Sequence, residues 1–527
     1  MPVLERTMLS ADLTRIQFGS STVSLLGIGP EGKEMRSNVK LYFIFGLSVI
    51  LFIGGITVGV LWGSIFETIL NNELTLTQTS QTFKIWDVNP IPIYLSFYLF
   101  NWTNPHEFNC HDCPKPNFTE HGPYVFSEMD YKVDKVWNKN GTITFHRRRF
   151  WTFEPSMSNG TLSDKITNLN PIAVTVGYIV RFQKPLMKKF ASLLMNAVNE
   201  NMIITRNISQ LIFDGFDDKL LYIARKLNIT SIPYDKFGWF YGRNGSETYE
   251  GTYSIKTGET SLFDVGQLVE WNYSNKTIYD NGKCSEIKGT VGDLWHPFTS
   301  NKNSTLFVFS SDICTTLNLV YGNTTELLGL IGTKFVSHEN ILDNGSKDPS
   351  RKCYCDNVAC QPSGVLNVSL CKFGAPAFIS LPHFYLGDSS YRDSIDGMFP
   401  EQEKHETYVV LDPIMGTPMQ VKAQLQLNLF IQHDDKIDMF RGINNTYVPM
   451  LWFSQTATLT SEYATLVKFM HILPLLGYVV FYGIGCIGVL IFFIGIFITL
   501  KARWREEENQ NLLPSDRNNS SVITSEG

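Results

Sequence analysis

Nine cysteines are the most reactive side chains in this 527-residue chain, and eight of them, Cys110, Cys113, Cys284, Cys314, Cys353, Cys355, Cys360 and Cys371, fall between two long apolar runs. An even number of cysteines in one segment of an oxidising compartment reads as a disulfide framework. Eight cysteines allow 105 pairings, so spacing leaves the connectivity open. Cys110-x-x-Cys113 has the spacing of a redox pair or of half a zinc site. With no βαβ pattern around it, the reading is a small structural bridge. Cys486 lies inside the second apolar run.

Other chemistry is sparse. The chain has no His-Glu-x-x-His, no Gly-x-Ser-x-Gly and no Gly-rich phosphate loop with its lysine, so neither an enzyme nor a metal or cofactor is expected. The histidines are scattered, and His296, His383 and His405 read as hydrogen-bonded structural residues. Arg147, Arg148 and Arg149 form a basic triplet, but neighbours on a strand point to opposite faces, which favours a solvated strand over an anion site. Lys184, Lys188 and Lys189 crowd the start of a helix that begins at Pro185, where the helix dipole disfavours cations by roughly a few tenths of a kcal/mol each. Two readings fit: an anionic ligand docking on these lysines and Phe190, or long basic side chains solvated on a surface helix.

The elements that must hold these residues begin with the apolar runs. Leu41–Phe66 and Ile472–Leu500 contain no Asp, Glu, Lys or Arg over 26 and 29 residues. At ~1.5 Å per residue both exceed a bilayer core of ~30 Å and read as membrane-spanning helices. Lys33, Arg36 and Lys40 precede the first, and Lys501, Arg503 and Arg505 follow the second, which puts both termini in the cytosol. The expected plan is a cytosolic tail at 1–40, a span at 41–66, an extracytosolic domain at 67–471, a span at 472–500 and a cytosolic tail at 501–527. Fourteen Asn-x-Ser/Thr sequons lie in the middle segment: Asn101, Asn117, Asn140, Asn159, Asn207, Asn228, Asn244, Asn272, Asn275, Asn303, Asn323, Asn344, Asn367 and Asn444. So many on one side of the bilayer fit a glycosylated surface. Asn518 and Asn519 also match but fall in the cytosolic tail. A formal net charge of −6 gives no reason to expect nucleic acid.

Within the middle segment, aromatic and β-branched runs bounded by Pro, Gly and Asn recur at Asn89–Phe108, Gly122–Phe126, Thr142–Phe153 and Thr248–Ile255, which predicts a body of mostly antiparallel sheet. The clearest strand alternates Val421, Ala423, Leu425, Leu427, Leu429 and Ile431 with Lys, Gln, Gln, Asn and Phe, a pattern that buries one face. Leu186, Phe190, Leu193, Leu194, Ala197 and Val198 recur at helical spacing after Pro185, and a second helix is expected over Asp217–Leu227. In the first span Gly55, Gly59 and Gly63 repeat every fourth residue, the spacing that lets helices approach closely in lipid. They suit either the second span or another copy of the chain, so a homo-oligomer stays open.

Three segments then resemble the class B scavenger receptors, the family of fatty acid translocase, lysosomal integral membrane protein type 2 and the insect croquemort and epithelial membrane proteins. They are Ser310–Cys314 (SSDIC), Gly364–Asp388 (GVLNVSLCKFGAPAFISLPHFYLGD) and Ile395–Met419 (IDGMFPEQEKHETYVVLDPIMGTPM). With NPIPIYLSFYLFNWTNPHEF near the start and the two spans in register, the resemblance covers roughly Leu41–Leu500. It implies a membrane-anchored α+β protein: an antiparallel β-barrel ectodomain topped by a helical apex bundle, two transmembrane helices, and an apolar tunnel carrying lipid towards the membrane. It also implies bridges Cys284 to Cys353, Cys314 to Cys371 and Cys355 to Cys360, leaving Cys110 with Cys113. The helix from Pro185 falls where the family's ligand-binding apex begins. Two departures stand out: Glu200 where fatty acid translocase presents a lysine, and no histidine between Arg181 and Asn201 to serve as the pH switch for an enzyme cargo.

In the C-terminal tail, Glu508 stands four residues before Leu512-Leu513, which resembles the acidic dileucine signal read by clathrin adaptors. The resulting expectation is an endolysosomal receptor for lipids, sterols or lipoprotein-like ligands. The alternatives are a receptor sorting a luminal hydrolase to lysosomes and a plasma-membrane scavenger receptor for lipid uptake or phagocytosis.

Overall fold

The computed structural model describes residues 30–107, 114–226, 233–279, 282–297, 303–355 and 360–511. Cys110, Cys113, Asn228, Leu512, Leu513, Asn518 and Asn519 lie outside these residues. The chain forms two compact units, one made from its ends up to Ser64 and from Pro474 onward, the other Ile65–Leu473. The described helices are α1 (Pro30–Leu74), α2 (Gln81–Asp87), α3 (Pro171–Val180), α4 (Pro185–Ala197), α5 (Lys219–Lys226), α6 (Ser390–Asp393), α7 (Gln402–His405) and α8 (Ser461–Asn511). The first strands are β1 (Ile93–Trp102), β2 (Phe118–Asn138), β3 (Thr142–Phe153), β4 (Lys165–Leu169), β5 (Ile203–Asn207), β6 (Thr252–Lys256), β7 (Leu268–Trp271) and β8 (Thr305–Ser310). They are followed by β9 (Thr315–Leu327), β10 (Leu330–Val336), β11 (Val365–Asn367), β12 (Ala377–Ser380), β13 (Tyr408–Leu411), β14 (Pro418–Ile431) and β15 (Thr446–Thr458).

In the first unit both apolar runs lie inside longer helices, α1 and α8. The glycine stripe of α1 seats against α8. A Cβ on Gly55 would stand 2.5 Å from the Gly485 nitrogen, one on Gly59 2.9 Å from the Tyr482 ring, and one on Gly63 2.9 Å from the Tyr478 hydroxyl. Helix α8 answers with Gly488, whose Cβ would meet the Phe52 nitrogen at 2.7 Å. Only hydrogen side chains let two backbones come this close, and dispersion contacts then hold the pair. Trp62 closes the seam by donating its indole N–H to the Pro474 carbonyl at 3.0 Å. The outward faces carry Tyr42, Phe43, Leu490 and Phe497, each more than 60% exposed, an arrangement suited to hydrocarbon.

The second unit is built on one antiparallel sheet in the order β7-β6-β3-β2-β1-β15-β14-β13-β10-β9-β8, with the β11–β12 hairpin paired to β14. Its edge strands do not stay open. Leu268 N–H donates to the Gly289 carbonyl at 2.8 Å, Thr290 N–H to Phe307 at 3.1 Å, and Phe309 N–H to Thr290 at 2.8 Å. Residues Gly289–Thr290 thus zip β7 to β8 and nearly close a barrel, which removes the exposed edges. Gly289 is required there: its φ is +76°, and a Cβ would overlap the Phe307 carbonyl.

The alternating strand is β14, and its burial differs from expectation. Val421, Ala423 and Leu425 face the barrel interior. On the other face Gln424, Gln426 and Asn428 are also buried, at 2%, 0% and 0% exposure, because the segment from Leu381 to Thr407 lies over them. Gln426 accepts from the His383 N–H at 2.7 Å, Gln424 exchanges hydrogen bonds with Thr407, and Asn428 donates to Phe378 O and Ser380 Oγ. Amide side chains on the outer face are what a polar cover needs.

At one end, β4, β5 and α3–α5 pack over an aromatic cluster that includes Phe97, Phe126, Phe213 and Phe240. Helix α3 has no counterpart in the sequence reading, although its start is signalled: Asn170 Oδ1 accepts from Ile172 N–H at 3.0 Å, and Pro171 occupies the first turn. The helix expected over Asp217–Leu227 is α5, starting at Lys219. Disulfides join Cys284 to Cys353, Cys314 to Cys371 and Cys355 to Cys360, with Cα separations of 6.2, 5.9 and 4.8 Å.

Gly55→Ile should wedge α1 from α8 and lower the melting temperature of the detergent-solubilised protein by a loss of about 1–3 kcal/mol. Gly54→Ile, at a site with no heavy atom within 4 Å of a Cβ, should leave it unchanged.

Candidate functional site

The barrel is not filled by its own side chains. It encloses a cavity of about 320 Å³, within the range of small-molecule sites. Ile85, Ile91, Ile93, Val265, Leu425 and Phe453 give it apolar walls.

Across this interior runs a belt of paired charges. Arg147 and Arg149 stand two residues apart on β3 and therefore share its inward face, whereas Arg148 points out to Glu247 at 3.0 Å. Strand geometry does divide the triplet, but the solvated-strand reading fails for two of its three members: Arg147 is 7% exposed and the Arg149 side chain 12%. Arg147 Nη2 reaches Asp130 at 2.6 Å and Asp293 at 2.9 Å, and Lys132 Nζ reaches the same carboxylates at 2.8 and 3.2 Å. Arg149 lies 3.4 Å from both Glu128 and Glu250. Arg243 binds Glu250 and Asp312, both at 2.8 Å. Burial opposes ionisation of Asp130, but Arg147, Lys132 and Arg149 outweigh it and hold the carboxyl well below its ordinary range. Burial likewise opposes the charge on Arg147, and Asp130, Asp293 and Glu250 overcome it, raising its pKa.

A second cluster lies under the outer cover. Glu120 accepts from Trp452 Nε1 at 2.7 Å and Lys404 Nζ at 3.0 Å, and His383 Nε2 lies 2.6 Å away. Burial would raise the Glu120 pKa, yet these hydrogen bonds bring it down to about 2. The His383 ring stacks on His405 with centroids 4.6 Å apart. His405 Nδ1 accepts from the Glu401 N–H at 2.9 Å, and burial followed by the charges of His383 and Lys404 lowers its pKa to about 3. Both are hydrogen-bonded structural histidines, and His296 is hydrogen-bonded to Pro297 O.

On α4 the lysines part company. Lys188 pairs with Asp434 at 2.6 Å, a partner that neither the ligand reading nor the solvated reading of this residue supplied. Lys184 and Lys189 are exposed, and Lys184 offers no side-chain cap to α4. Phe190 is exposed beside Leu186, Met187 and Leu193, forming an apolar stripe along α4. Glu200 hydrogen-bonds Asn170 and faces Asp218; burial and the Asp218 charge push it up to about 7.

Nine sequon asparagines are exposed: Asn117, Asn140, Asn159, Asn244, Asn272, Asn275, Asn303, Asn323 and Asn444. Asn101, Asn207 and Asn367 are half-buried. Asn344 is the exception at 3% exposure, with Nδ2 donating to Pro362 O and Val365 O, so the folded domain has no room for a sugar there. Glu508 sits on the exposed last turns of α8.

Comparison with known proteins adds to this geometry. A model of the CD36 family matches residues 44–499. Protein peste of Drosophila melanogaster is 32% identical over 424 residues, 80% of this chain and 75% of its own. Scavenger receptor class B member 1 of Bos taurus is 30% identical over 88% of this chain and 90% of its own, and human Lysosome membrane protein 2 is 30% identical over 87% and 93%.

Two pH effects follow, of opposite sign. His405 resists protonation when folded, so the unfolded chain binds the extra proton between pH 6.5 and about 3 and stability falls on acidification. His405→Gln should flatten that slope in chemical denaturation of the purified protein. Glu200 holds its proton better when folded, so between about pH 7 and 4.5 acid stabilises the packing of α3 to α5 around it and rising pH weakens it. The protection of amides in α4 and α5, taken relative to the intrinsic exchange rate at each pH, should be higher at pH 5.5 than at 7.5, and the same at both in Glu200→Gln.

Proposed function

The chain belongs to the CD36 family, and from that premise we propose that it is a two-span glycosylated receptor of endosomes and lysosomes that takes up lipid or lipoprotein-like ligands and passes lipid along its barrel interior. One observation carries this reading: the apolar cavity inside a nearly closed barrel, large enough for a small ligand and without side chains to fill it. The exposed stripe Leu186, Met187, Phe190 and Leu193, flanked by Lys184 and Lys189, suits the first contact with an apolar particle that carries anionic groups. Arginine and lysine counts on the flanks of α1 and α8 support cytosolic termini. The sequence of human Lysosome membrane protein 2 supports an endolysosomal address, to which Glu508, Leu512 and Leu513 add a signal for clathrin adaptors.

Mass spectrometry of lipids retained by the purified full chain tests the reading. Bound sterol or fatty acid is the expected result. A co-purified luminal hydrolase released by acid, with no retained lipid, would favour the sorting receptor instead. Leu512→Ala with Leu513→Ala should move most of the protein from endolysosomes to the cell surface, read by surface biotinylation.

A further inference from the structure

One exposed turn breaks the rule of its own geometry. Strands β9 and β10 pair as far as Leu327 with Leu330, which leaves Leu328 and Gly329 as a two-residue loop with φ of +52° and +74°. Such loops favour Asn-Gly, because the first position holds its side chain in the left-handed region, which Asn tolerates. Leucine there is strained, and burial does not offset the strain: Leu328 is 45% exposed, and Ile331 just beyond it is 66% exposed. Leu327 to Ile331 carry no charged or polar side chain. A residue kept against local preference, apolar and facing out, calls for a partner outside the fold.

The position of the turn says what that partner is. Leu330, on the inner side of the same turn, is 3% exposed and packs in one cluster with Ala464 and Val467 of α8. A Cβ on Gly329 would stand 3.0 Å from Lys468 Nζ. Lys468 comes four residues before Ile472, where the uncharged run of α8 begins, so the turn is fixed against the helix about 6 Å of rise ahead of that run. The adjoining turn is held there too: β13 pairs with β10, and past its end Asp412 Oδ2 lies 2.7 Å from His471 Nε2, with Ile414 39% exposed. On α8 itself Leu466 and Phe469 are exposed, so apolar surface begins on the helix before the uncharged run does. A lysine among exposed apolar side chains at the end of a span suits a lipid interface, its stem in the apolar layer and its ammonium at the head groups. Polar residues bound the patch on the other side: Glu326, opposite Ile331 in the register, and Asn323 and Thr324 behind it are exposed.

We propose that the β9–β10 turn is a third membrane contact of this chain: Leu328 and Ile331, with Ile414 on the adjoining turn, dip into the head-group and upper acyl layer of the leaflet on the ectodomain side, and Lys468 meets the lipid phosphates. Glu326 and the Asn323 sequon stay in water. The bilayer supplies what the protein does not, an apolar surrounding for a strained leucine. The inference needs the two spans and not the lipid-carrier reading, so either can fail without the other.

The test places the purified full chain, one copy per disc, in phosphatidylcholine nanodiscs that contain a phosphatidylcholine with a diazirine on its acyl chain close to the ester. After irradiation, lipid adducts are mapped by peptide mass spectrometry, with adducts on 472–500 as the internal reference. The peptide carrying 324–334 should be labelled in the wild type, and Leu328→Asn with Ile331→Ser should lower that labelling about tenfold against the reference. An undiminished melting temperature in detergent shows that the variant is folded, since Asn suits this turn better than Leu. Should the variant not fold, the wild-type map decides. Absence of adducts on the wild-type turn, with the spans labelled, overturns the proposal. Equal labelling of the turn in the folded variant also overturns it, because the contact then does not use these side chains. A turn that escapes lipid labelling, and whose amides are shielded from exchange only in discs holding two copies, belongs to an interface with a second copy, which overturns it as well.

Discussion

Ionised groups can sit inside a protein when each has a counter-charge at contact distance, and the barrel here depends on that condition. Arg147, Lys132, Asp130 and Asp293 form a closed set at 2.6 to 3.2 Å, and Arg149 and Arg243 extend it through Glu128, Glu250 and Asp312. Removing any one member would leave its partner charged and buried, a loss on the order of 3–5 kcal/mol, whereas the intact set is close to neutral in free energy. The belt therefore acts on conformation more than on stability. Asp293 follows directly on the segment that zips β7 to β8, and Arg147 also donates to the Val291 carbonyl at 3.4 Å. The same contacts that neutralise the lumen thus hold the seam of the barrel.

Placement relative to neighbours, not burial alone, decides what acid does to this domain. Glu120 and Glu200 are both partly buried carboxyls, yet one is brought down to about 2 and the other pushed up to about 7. Around Glu120 stand an indole, an ammonium and an imidazole; beside Glu200 stands another carboxylate. Near pH 5 the first keeps its charge and its cover of the outer sheet face, while the second is protonated and its repulsion with Asp218 is relieved. Acid thus leaves the Glu120 cluster charged and relieves the repulsion beside Glu200, while His405 works the other way and costs stability on acidification.

The family and the two-helix anchor were legible in the chain because they depend on local properties: uncharged runs long enough for a bilayer, glycines four apart, turn residues between aromatic strands, and short segments that resemble the family's. Helix α4 was legible from its periodicity and its Pro185 start. Helix α3 was missed although Asn170 and Pro171 signal its start, since its Val and Ile content matches a strand as well as a helix; its packing on Phe440, which a Cβ on Gly177 would overlap, adds the tertiary part.

What tertiary structure alone decided is which polar residues are inside. From spacing, Arg147 and Arg149 share a face, but whether that face meets water or a lumen depends on closure at Gly289–Thr290, contributed from about 140 residues away. Gln424, Gln426 and Asn428 read as a solvent face until the segment carrying His383 and His405 folds over them. The partner of Lys188, Asp434, likewise comes from beyond β14. Burial of a charge is a property of the partners brought to it, and those partners lie far apart in sequence, where no local pattern records them.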